Sequence, residues 1–134
     1  MANLIDIEGI GRHQANSLEA LGVTTQEQFL AAAASPAGRQ NLVARAGLTM
    51  EQVLTWANRA DLARIEGVNG ECADLLEAAG VDTVPELAQR NAANLYAKLV
   101  EVNDEKIISH DPPSAEDVTR WVAEAKALPR ALHY

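Results

Sequence analysis

The sequence predicts an all-α protein made of two pseudo-repeats of short helices, and three observations carry that prediction. The first is a repeat. Ile7-Glu8-Gly9-Ile10-Gly11-Arg12-His13-Gln14-Ala15 returns, 58 positions on, as Ile65-Glu66-Gly67-Val68-Asn69-Gly70-Glu71-Cys72-Ala73. The same displacement carries Leu18 onto Leu76, Gly22 onto Gly80, Val23 onto Val81 and Thr25 onto Thr83, so one structural unit is duplicated. The second is composition: 48% of the residues are hydrophobic but only 4% aromatic. An apolar inventory led by alanine and leucine favours helix over sheet. The third is punctuation, since stripes of apolar residues at helical spacing are bracketed by residues that start and stop helices.

The elements follow in order. Each repeat opens on a glycine-centred turn, and the first helix then runs from about Gly11 to Leu21 with Ala15, Leu18 and Leu21 on one face. Gly22 stands where a left-handed C-terminal cap is needed. Thr25 with Gln28 has capping-box spacing for a second helix through Phe29; Gly80, Thr83 and Glu86 take the same roles in the second copy. Ser35-Pro36 opens a third helix that stops at Gly47, and its counterpart begins at Asn91. Thr49 with Gln52, and Ser114 with Asp117, open the last helix of each copy. There Val53, Trp56, Ala57 and Ala60 recur as Val118, Trp121, Val122 and Ala125 on a single stripe. Trp56 and Trp121 are read as core anchors, each costing about 3–5 kcal/mol if truncated to alanine. Asp61 is read as the cap of a short helix, Leu62-Ala63-Arg64-Ile65. The copies part at Val102–Pro113, an addition in the second with Pro112-Pro113 at its end. Its prolines hold it extended, and Ile107 and Ile108 are expected to tuck it against the body. The repeats are thus assigned to residues 1–60 and 61–134, packed as one compact body.

The net charge is −8, and residues 61–134 hold fourteen of the nineteen acidic side chains against seven of the eleven basic ones. A field of this sign opposes nucleic acid, whose binding depends on Lys and Arg releasing counterions. Cys72 is the one cysteine, which rules out an internal disulfide and fits a reducing cytoplasm; it is read as a small packing residue. No apolar run approaches the roughly 20 residues of a membrane span, and neither a secretion signal nor a membrane association is expected.

The turn Gly9-Ile10-Gly11, with Arg12 and His13 after it, has a mechanical meaning. Glycines let the backbone turn sharply and leave amides exposed at a helix N-terminus, where they suit a phosphate oxygen. The run Ile7–Ala15 resembles the helix-hairpin-helix motif, which implies sequence-independent binding to a DNA or RNA backbone. The small Ala15 and Ala73 fit that motif. Gly67-Val68-Asn69-Gly70 is the second candidate turn for a phosphate or a partner; the departures from the motif are that Glu8 and Glu66 replace the usual proline and that Asn69 stands at its later glycine. His13 and Glu71 stand where a lysine would often meet phosphate. A second resemblance covers nearly the whole chain. Ala60–Val68, Ala78–Asn91 and Trp121–Pro129 are similar to the DUF4332 family of bacterial proteins, which implies tandem helix-hairpin-helix-like units and brings no activity with it.

Signs of catalysis are poor. His13, His110 and His133 have no His or Cys partner at metal-binding spacing. His110-Asp111 reads as surface loop, and no phosphate-binding glycine loop with a following Lys exists. No cofactor and no metal site are expected. The leading reading is a non-catalytic helical module that binds another protein; the competing one is nucleic-acid backbone binding at Gly9, Ile10, Gly11 and Arg12.

Overall fold

The computed structural model describes Leu4, Ile7 and residues 10–133. Among these residues the secondary structure is helical, without a strand: α1 Arg12–Glu19, α2 Gln26–Ala32, α3 Pro36–Ala46, α4 Met50–Leu62, α5 Gly70–Ala78, α6 Val84–Ala88, α7 Ala92–Glu105 and α8 Ala115–Ala127. No helix among them is long and apolar enough to cross a membrane. The chain divides into two compact units, one of Met1–Asp61 with Arg130–Tyr134 and one of Leu62–Pro129.

The 58-residue displacement reappears in backbone hydrogen bonds. Ile10 N donates to Ile7 O as Val68 N does to Ile65 O, and Ala15 N to Gly11 O as Ala73 N does to Asn69 O. After the first helix of each unit, Val23 N donates back to Leu18 O and Val81 N to Leu76 O. The turns are closed by Gly22 and Gly80, both left-handed at φ 82° and 93°, a region that costs a residue with a side chain.

In the first unit Leu18, Phe29, Leu42, Val53 and Trp56 share a buried core. Phe29 and Trp56 meet edge to face, ring centroids 6.3 Å apart, the arrangement favoured by the aromatic quadrupole. The last residues of the chain return to this unit. Leu132 is buried in its core, and His133 N donates to Ala34 O at 2.7 Å. The buried Arg39 clamps both sides of that junction, Nη1 donating to Ala33 O and Nη2 to His133 O, each at 2.9 Å. In the second unit α6 and α7 pack on α8, and α5 on α7, around Leu76, Leu87, Leu95, Leu99, Val118 and Trp121.

Several details differ from expectation. The α4 helix runs through Asp61 to Leu62, so Asp61 is a fully buried helical residue rather than the cap of a separate helix. The first helix ends at Glu19, which leaves Leu21 in the turn and exposed. Thr83 makes no side-chain cap to the backbone of α6; its hydroxyl donates instead to Glu86 Oε1 at 3.2 Å. The added segment is helical as far as Glu105, and Ile107 is 71% exposed while Ile108 packs against the core.

Candidate functional site

Among the described residues, the two glycine turns and a cleft beside α7 are candidate places for a ligand. In the first turn Ile10 is buried, and Gly11, Arg12 and His13 are exposed; Gly9 lies outside the described residues. Gly11 is the N-cap of α1 in extended conformation. Its N–H donates to Gln14 Oε1 at 3.1 Å, and a Cβ on Gly11 would stand 2.8 Å from that oxygen. The glycine therefore lets Gln14 fold back onto the turn. No acidic side chain lies in the first turn of α1, which begins with Arg12 and His13.

The second turn shares with the first the hydrogen bonds of Val68 N to Ile65 O and Ala73 N to Asn69 O, and an acidic Glu71 stands in the first turn of its helix. Gly67 is left-handed at φ 91°, Val68 is buried, and Asn69 caps α5 by accepting from Cys72 N at 2.9 Å. Glu66 N donates to Glu124 Oε1 at 3.3 Å. Glu71, in the first turn of α5, receives the added segment: its Oε2 accepts from Ser109 Oγ and from His110 N, both at 3.3 Å. Gly70 is exposed with open space around its Cα. The surroundings register on Cys72, a buried thiol. Burial raises its pKa, and Glu71, Asp117 and Asp111 add to the rise against the lowering effect of the Asn69 cap. Three carboxylates beside the N-terminus of α5 oppose a bound anion more than one helix dipole favours it. Arg12 and His13 follow the first turn, whereas Gly70 and Glu71 follow the second.

The cleft is made by the segment that the first unit lacks. Tyr96, Leu99, Val100, Asn103 and Asp104 lie along one face of α7, spaced i, i+3, i+4, i+7, i+8, and Leu75, Pro112 and Pro113 complete the lining. The cavity measures ~90 Å³. Asn103 ties down the chain that leads to the two prolines: Oδ1 accepts from Ile108 N and Ser109 N, each at 3.0 Å, and Nδ2 donates to Ser109 O at 3.2 Å. The wall is stiffened by two prolines and by a side chain that satisfies three backbone groups.

A family model described as a domain of unknown function, DUF4332, matches residues 8–128. The chain belongs to the DUF4332 family. No curated protein matches it, and no solved structure does. The match spans both glycine turns and the cleft of this DUF4332 chain.

Trp56 and Trp121 are buried in separate cores, 3% and 2% exposed. Trp121 Nε1 has no hydrogen-bond partner among the described residues, and it faces Gly67, where a Cβ would come within 3.3 Å. The described residues hold no group of three or more His, Cys, Asp or Glu arranged for a metal ion. His110 gives its backbone N–H to Glu71, and His133 is tied by its backbone to the first unit. The extended conformation expected over 102–113 conceals the cleft, because α7 runs to Glu105. Its signal was there: Tyr96, Leu99, Val100 and Asn103 continue the helical period past Val102, a turn further than α3.

Proposed function

We propose that this DUF4332 protein is a non-catalytic helical interaction module that binds a protein partner through the α7 face of its second unit. The observation that carries this reading is the apolar cleft itself. Val100, 40% exposed, lines it, and Ile107 nearby in sequence is 71% exposed; apolar surface left open beside a stiff wall is a feature of contact sites. The acidic surroundings favour a protein over a polyanion. A cytoplasmic setting is part of the proposal, supported by the free, buried Cys72. Affinity capture from a source lysate, followed by sizing of the reconstituted complex, tests it. A reproducible partner that co-elutes with the wild-type chain and not with Val100→Glu supports the reading; an inert monomer that retains no partner overturns it.

A second reading rests on Arg12 and His13, exposed at the start of a helix with no acidic first turn. It expects weak, salt-sensitive binding of single- or double-stranded DNA or RNA. Fluorescence anisotropy at low salt checks it: binding abolished by Arg12→Glu favours this reading, and no binding leaves the turn as architecture.

A further inference from the structure

We propose that the α7 cleft takes a single large apolar side chain from a partner segment that carries Lys or Arg on either side of it. This rests on the protein-binding reading above and names what the partner must present. Size is the first argument. An enclosed apolar space of ~150 Å³ holds a benzene-sized group, and drug-sized ligands or cofactors need about 300–1,000 Å³. At ~90 Å³ the cleft suits one side chain. Its lining points the same way: Leu75, Leu99 and Val100 offer aliphatic contact, Tyr96 an aromatic wall, and Pro113 a surface that loses no side-chain freedom on contact.

Preorganisation is the second argument. The bonds from Asn103 to Ile108 and Ser109, and from Ser109 to Glu71, fix the wall before anything binds. A ligand therefore need not order it, which lowers the entropic cost of docking.

Charge supplies the third argument and selects the occupant. Asp104 lines the cleft, Asp111 stands beside Pro112, and no Lys or Arg contributes to the lining. The half of the chain that bears it, residues 61–134, holds fourteen of the nineteen acidic residues. Such a rim attracts a basic segment and repels nucleic acid or a second copy of this acidic chain. The duplication adds a fourth point. The first unit has no counterpart of Val102–Pro113, the segment that supplies both the last turn of α7 and the proline wall.

The experiment is selection of a displayed random dodecapeptide library on the intact chain, followed by anisotropy measurements with the enriched peptides. The expected winners carry one Leu, Met or Phe flanked by Lys or Arg. Their affinity should fall about tenfold or more on Val100→Glu, as for a residue at the centre of a contact. It should fall about threefold on Asp104→Asn, in line with a partly screened charge pair, and further as salt rises. Val100 and Asp104 are exposed, and unchanged circular dichroism and denaturation midpoints show that both variants stay folded. Peptides indifferent to both substitutions, or apolar winners without basic flanks, overturn the proposal while leaving protein binding elsewhere on the chain intact. No enriched peptide at all also overturns it, and only a failed lysate capture as well would sink the broader reading.

Discussion

Gly67 joins three constraints at a single Cα: a left-handed φ of 91°, a place in the turn before α5, and a contact surface against Trp121 Nε1. Gly22 has the first of these, with φ 82° and no atom within 4 Å of a built Cβ. The pair separates backbone strain from crowding. Gly22→Ala should cost about 1–2 kcal/mol, the penalty of a left-handed residue with a Cβ, and Gly67→Ala measurably more in the same urea titration. Equal losses would mean that the indole moves aside freely. Cys72 makes a second test at this scale. Its folded pKa lies above the ordinary 9.0 because burial, with help from Glu71, Asp117 and Asp111, disfavours the thiolate. The neutral thiol's contribution to stability is therefore complete below about pH 9 and is lost as pH rises through the folded value. Because the thiolate is the nucleophile, a thiol reagent at pH 8 should label the folded protein far more slowly than the urea-unfolded chain. Comparable rates would show that Cys72 is not sequestered.

The N-terminus of α8 concentrates several cooperating contacts in one turn. Ser114 Oγ accepts from Asp117 N at 3.1 Å, Asp117 Oδ2 accepts from Ser114 N at 3.0 Å, and Arg120 Nη2 reaches Asp117 Oδ1 at 2.8 Å. The hydrogen bonds from Ser114, backbone first and then side chain, hold the Asp117 carboxyl below its ordinary value, with Arg120 assisting. A depressed carboxylate adds stability above its unfolded pKa and loses it as pH falls through the folded value. Fraying of α8 should thus begin below the usual aspartate range, followed by the amide shifts of Ser114 and Asp117. Ser114→Ala should cost about 1 kcal/mol at neutral pH, read from the denaturation midpoint. This cap was legible in the sequence because its chemistry is local: Ser114 and Asp117 sit three residues apart and need nothing else. So were Thr49 with Gln52 and Ser35 with Pro36. Asp61 was not, because an acidic residue before Leu62 reads as a cap until tertiary packing carries the helix through it. The cleft was hidden for a related reason. It depends on Asn103 meeting Ile108 and Ser109, and on Ser109 meeting Glu71; the last pair is 38 residues apart, beyond any periodicity.

At the scale of the whole chain, the final residues belong to the first unit although they follow the second in sequence. Leu132 is buried among Leu18, Phe29 and Trp56, and the backbone of His133 bonds Ala34 and the Arg39 guanidinium. The first unit is therefore closed only once the tail has been made. Each unit carries one tryptophan, Trp56 or Trp121, so single-tryptophan variants report the two separately. In the Trp121→Phe background, Leu132→Ala should lower the stability reported by Trp56 by about 2–5 kcal/mol, the range for emptying a buried leucine site. In the Trp56→Phe background, the same substitution should leave the midpoint reported by Trp121 nearly unmoved if the units unfold independently. Equal shifts in both channels would mean that the chain unfolds as one cooperative block. No shift in either would remove the tail from the fold of the first unit, and with it the role assigned to Arg39. Truncation after Pro129 should exceed the effect of Leu132→Ala in the Trp56 channel, since it also takes the carbonyl of His133 away from a buried guanidinium.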